Sequence, residues 1–114
     1  MSKETFQEYL TGNSQTLQIP GETYRRILQK AVDQTRVDIP QVDSAFAAND
    51  METIQSISHR WKGDYDNLRL GPLAQTARDL NIEAKGNKDQ TLMATNFDKF
   101  KLHFNELCQK LDDN

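Results

Sequence analysis

The chain has 114 residues, 36% hydrophobic and 27% charged, with a net charge of −3. That is enough for one domain with one core, and the acidic balance argues against a nucleic-acid partner, which needs a clustered basic face. A single cysteine, Cys108, excludes an internal disulfide and a cysteine-based zinc site, and no apolar run approaches the roughly 18 residues of a membrane span. Met1-Ser2-Lys3-Glu4 lacks the apolar stretch of a signal peptide, so a cytoplasmic protein away from membranes is expected.

In residues 1–20, Phe6, Tyr9 and Leu10 share one face of a short helix expected to end near Gly12, where Gly12-Asn13-Ser14 reads as a turn. From Gly21, Tyr24, Leu28, Ala31, Thr35, Ile39, Val42 and Phe46 recur three or four apart, with Ile27 and Val32 widening the stripe. Pro40 removes a backbone donor and crowds the carbonyl four residues back. The stripe keeps its phase across it, so one kinked helix is expected. Ala47-Ala48-Asn49-Asp50 ends that helix, and Asp50 suits the N-cap of the next. The third helix, about 50–68, carries Ile54, Ile57, Trp61, Tyr65 and Leu68. Gly71-Pro72 breaks it, and Pro72 suits the first turn of a fourth helix with the stripe Leu73, Ala77, Leu80 and Ala84, stopping at Gly86. After the turn Asn87-Lys88-Asp89, Met93, Phe97, Phe100, Phe104, Leu107 and Leu111 alternate four and three apart, the seam of left-handed bundle packing. Four long helices on short loops predict an all-α protein, an antiparallel up-down four-helix bundle over residues 21–112 with a short N-terminal helical segment over 1–20.

Few motifs bear chemistry. The five glycines have no phosphate-cradling spacing, and no pair of Glu-x-x-His motifs marks a di-iron bundle. Two histidines, His59 and His103, do not make an all-histidine zinc site, so no metal or cofactor is expected. His103 reads as a boundary histidine, Cys108 as a partly buried thiol, and Asp112-Asp113-Asn114 as a frayed tail. His59 differs. It lies about 200° around the helix from both Ile57 and Trp61 and so faces away from the core. Lys62 and Gly63 follow at i+3 and i+4, beside it on that outer face. A helical glycine costs about 1 kcal/mol against alanine, and that cost on an exposed face points to something large approaching the histidine closely. Imidazole is a nucleophile near neutral pH, and an ammonium one turn away attracts a phosphoryl group. Phosphoryl transfer asks mainly for positioning and charge stabilisation. A chain with this pair and no carboxylate–metal site can accept a phosphoryl group without catalysing its own phosphorylation.

His59-Arg60-Trp61-Lys62-Gly63 resembles the motif of histidine-containing phosphotransfer (HPt) domains, in which the histidine is followed by any residue, an apolar residue, lysine and glycine. Ala47-Ala48-Asn49-Asp50 is similar to the family's short turn before the histidine helix. Leu73, Ala77 and Leu80 fall without a gap on its downstream core positions, and Tyr24–Leu28 and Ile39-Pro40 look like its preceding helix. The resemblance covers roughly residues 20–111. It implies phosphorylation of His59 at Nε2, with Lys62 steadying the phosphoryl oxygens and Gly63 clearing room for a partner. That partner is the receiver domain of a response regulator or hybrid sensor kinase, which supplies the acidic pocket, the divalent metal and the aspartate. The expected protein is a monomeric phosphocarrier, not an enzyme, with no ATP site. Gln55, Ser56, Arg60, Gly63 and Asp66 are the candidate docking residues. Three departures bear on partner choice and transfer efficiency. Asp64, Tyr65 and Asp66 stand where small residues are usual, Arg69 where the family has glycine, and Asn81 where it has an acidic residue or Gln. Asp66 lies two turns from His59 on the same face, where its charge opposes a phosphoryl group. Asp64 and Asp66 keep an alternative open, a non-transferring HPt-like adaptor that binds a receiver domain or kinase.

Overall fold

Among the described residues every regular element is a helix: α1 (Lys3–Thr16), α2 (Gly21–Ala48), α3 (Met51–Asn67), α4 (Gly71–Lys85) and α5 (Gln90–Asp112). The computed structural model describes the backbone of residues 3–112 and the side chains of residues 10–112. The side chains of Phe6 and Tyr9, and the tail beyond Asp112, lie outside the described residues.

The end of α1 departs from expectation. The helix runs through Gly12-Asn13-Ser14 and stops four residues later than the sequence suggests. Asn and Ser favour turns when their side chains bond the local backbone, but here both work at longer range. The Asn13 amide reaches the Tyr24 hydroxyl at 3.2 Å and the Leu68 carbonyl at 3.4 Å, and Ser14 Oγ donates to the Ile19 carbonyl at 2.6 Å. The helix stops at Thr16, and the chain turns at Gln18, in the left-handed region with φ 58°. The Ile19 amide there bonds Ser14 O, and the Gln18 amide bonds Gln15 O, which is a Schellman closure.

The same closure ends α2 at Asn49 (φ 56°) and α3 at Arg69 (φ 62°). The Asp50 amide bonds Ala45 O at 2.8 Å and the Leu70 amide bonds Tyr65 O at 2.9 Å. Two of the later helices are capped by aspartates. Asp50 accepts from the Thr53 amide at 3.2 Å and from its hydroxyl at 2.6 Å, and Asp89 accepts from the Leu92 amide at 3.0 Å. Helix α2 continues through Pro40, which sits exposed on the outer side.

The apolar stripes meet in one core that includes Leu10 of α1. Trp61 stacks on Phe100 with ring centroids 4.1 Å apart, and Tyr65 meets Phe100 edge-on at 6.1 Å. Val32 is buried as expected, but Ile27 is 46% exposed. Ile27 lies at the edge of the buried arc of α2, about 60° around from Tyr24. Consecutive helices pack on one another: α1 on α2, α2 on α3, α3 on α4 and α4 on α5. No described helix is long and apolar enough to cross a membrane.

Thr53, first through its hydroxyl and then through its amide, holds the Asp50 carboxyl below the usual carboxylate range. A carboxylate depressed on folding contributes stability that is present above its unfolded pKa and lost as pH falls through the folded one. Acidification from about pH 4 downward is therefore expected to loosen the start of α3. The difference in thermal midpoint between wild type and Asp50→Asn, followed against pH, should shrink over that range.

Candidate functional site

Helix α3 turns Ile54, Ile57, Trp61 and Tyr65 into the core. That phase leaves Ser56, His59 and Asp66 exposed and Gln55, Lys62 and Gly63 at intermediate burial. Among the described residues, neither His59 nor Lys62 meets a hydrogen-bond or ion-pair partner. Gly63 has an ordinary helical φ, and a Cβ built on it would meet nothing within 4 Å.

The histidine is held by what flanks it. Ser58, fully buried, donates to Ile54 O at 2.6 Å. The Asn81 amide of α4 donates to Ser58 Oγ at 3.1 Å and to Gln55 O at 2.9 Å, and Gln55 Nε2 donates to Ala84 O at 2.9 Å. These bonds lock the rotation of α3 against α4 at the level of His59. Gln55 is thus engaged in the lock as well as facing the outer surface.

On the other side Arg60 forms a forked ion pair with Asp38 of α2. Nη1 lies 2.8 Å from Oδ2 and Nη2 lies 3.0 Å from Oδ1. Trp61 Nε1 donates to the same carboxylate at 3.0 Å and Gln34 Nε2 at 3.1 Å. Asp38 is only 1% exposed, so four donor bonds compensate a buried charge. Arg60, read from sequence as a docking cation, is committed to this pair. Asp38 and Ser58 were not singled out from sequence. Asp38 carried a signal, since it stands three residues after Thr35 and four before Val42, inside the apolar stripe.

The two extra carboxylates of the face are also accounted for. Burial pushes the Asp64 carboxyl above the usual range, with Arg60 opposing the shift and Asp38 adding to it. Asp66 Oδ2 lies 3.5 Å from Nη2 of Arg78, whose Nη1 also donates to Gln75 Oε1 at 3.2 Å. Away from this face, a cleft of about 430 Å³ is lined from Pro40 to Thr53 and does not include His59. His103 stands 3.9 Å from Glu106 at the boundary, and Cys108 is partly buried. No group of three His, Cys, Asp or Glu that could hold a metal ion occurs among the described residues.

Compared with protein-family models, with curated proteins and with solved structures, the chain matches none.

Proposed function

We propose that the chain is a histidine phosphotransfer protein of the HPt type. Helices α2–α5 form its antiparallel up-down bundle, α1 packs upon it, and His59 is the phosphoacceptor. The observation that carries this reading is Gly63. A helical glycine one turn from an exposed, unpartnered histidine has neither a positive φ nor a crowding neighbour to explain it. With no cause inside the fold, its cost is best explained by a large partner approaching from outside. Arg69 adds support. The position where the resemblance expects glycine adopts the left-handed conformation that glycine favours, φ 62°.

The partner is a receiver domain carrying an aspartyl phosphate. The lone pair of His59 Nε2 attacks phosphorus, the phosphorus–oxygen bond to the aspartyl carboxyl breaks, and the carboxylate leaves with that electron pair. Lys62 steadies the phosphoryl oxygens, and the reverse step passes the group to a second receiver. Ser56, Gln55, Gly63, Asp66 and the fixed Arg60 surround the docking face. The carrier works as a cytoplasmic monomer, and the receiver supplies the metal and the catalysis. The adaptor reading drew on the charges of Asp64 and Asp66. Arg78 lies 3.5 Å from the second and offsets part of its charge, which favours transfer.

Labelling the protein from a phosphorylated receiver or from phosphoramidate tests this. One acid-labile, alkali-stable phosphoryl group on His59 is expected, and His59→Gln should take none while keeping its helical circular dichroism. A wild type that takes no label, or a mutant that keeps it, rejects the proposal.

A further inference from the structure

A phosphorylated histidine carries close to two negative charges, and Lys62 offers one positive charge. Helix α4 brings another to the same face. The bonds between α3 and α4 run in reverse order, Gln55 to Ala84 and Ser58 to Asn81. Arg78 lies three residues before Asn81, on the same side of α4 and about 4.5 Å along its axis. Its backbone therefore stands across from the His59–Lys62 stretch of α3. The side chain extends from there toward Asp66 and Gln75. Arg78 is 40% exposed and Asp66 58%, at a separation of 3.5 Å. A solvated pair of that length is weak, whereas a guanidinium fork matches phosphoryl oxygens closely.

We propose that Arg78 is a second phosphoryl-binding cation, held by Asp66 until the group arrives on His59 and then turned to join Lys62. This rests on the phosphotransfer reading. It gives Asp66 a purpose: the carboxylate parks the arginine in the resting protein and competes with the phosphoryl group for it.

Phosphoramidate is the probe, because it needs no receiver. Its phosphorus–nitrogen bond breaks, the nitrogen leaves as ammonia, and the phosphorus–Nε2 bond forms on His59. Labelling rate and phosphohistidine half-life are compared in wild type, Arg78→Gln, Arg78→Lys, Asp66→Asn and the Arg78→Gln/Asp66→Asn double variant. Arg78→Gln is expected to lower the labelling rate about tenfold or more, as the loss of one charge-assisted hydrogen bond would. Arg78→Lys should recover part of it. Asp66→Asn should raise the rate about twofold or more by releasing the arginine. The double variant should stay well below Asp66→Asn, near Arg78→Gln and raised only by the loss of the Asp66 charge itself, since the released arginine is what Asp66→Asn gains. No label on wild type overturns the phosphotransfer reading and this inference together. Normal labelling of His59 with an unchanged rate in Arg78→Gln overturns the role of Arg78 alone, as does a rate lowered by Asp66→Asn.

Discussion

Arg60→Met is expected to cost about 3–5 kcal/mol of folding stability, as removing one partner of a buried ion pair does. Asp38→Leu should cost less, about 1–3 kcal/mol, chiefly from the Trp61 N–H left without an acceptor. The asymmetry follows from which partner is buried. Asp38 is 1% exposed, whereas the Arg60 side chain is 41% exposed. Without arginine, the carboxylate keeps only two neutral donors, Trp61 Nε1 and Gln34 Nε2. Without aspartate, the guanidinium can turn outward and be hydrated. In Asp38→Leu/Arg60→Met no charge is stranded, so the double variant should be more stable than Arg60→Met alone. Urea unfolding of the four proteins measures all three differences. Equal and additive single-variant losses would mean that the pair behaves as an ordinary surface salt bridge. A loss of the larger size is a substantial fraction of the roughly 5–15 kcal/mol that holds a domain together.

Helix phase was readable because it depends on spacing alone. The buried faces of α3, α4 and α5 follow from residues three and four apart, and the exposure of His59 follows from its position two residues from Ile57 and from Trp61. What depended on a partner far along the chain was hidden. Asn13 and Ser14 have turn chemistry, yet Asn13 bonds Leu68, 55 residues away, and the helix continues through both. Asp66 reads as a charge hostile to a phosphoryl group until Arg78, 12 residues on, is seen beside it. Asp38 interrupts an apolar stripe, and only the indole N–H and guanidinium of α3 explain a carboxylate there. Ile27 shares its angle on α2 with the buried Ala45, about five turns on, yet is 46% exposed, so spacing alone did not show at which level that side of the helix is covered.

Gly63→Gln should separate docking from chemistry. Inside the fold the substitution is harmless or better. Gly63 has no positive φ, its missing Cβ faces open space, and replacing a helical glycine by a better helix former gains about 0.5–1 kcal/mol. Thermal unfolding should therefore show an unchanged or raised midpoint. Phosphoramidate is small enough to reach His59 past a glutamine, so labelling from it should stay near the wild-type rate. A receiver domain must bring its aspartyl phosphate to Nε2 across the surface beside Gly63, and a side chain at i+4 from His59 stands in that path. Displacing the reacting groups by even about 1 Å costs on the order of 100-fold in rate, so transfer from a phosphorylated receiver is expected to fall at least that far. Gly63→Ala, with one methyl group, should lie between. If Gly63→Gln accepted the group from a receiver as fast as wild type, no large partner would approach His59 over this residue. The glycine would then mark no docking face, even with a phosphoryl group on His59.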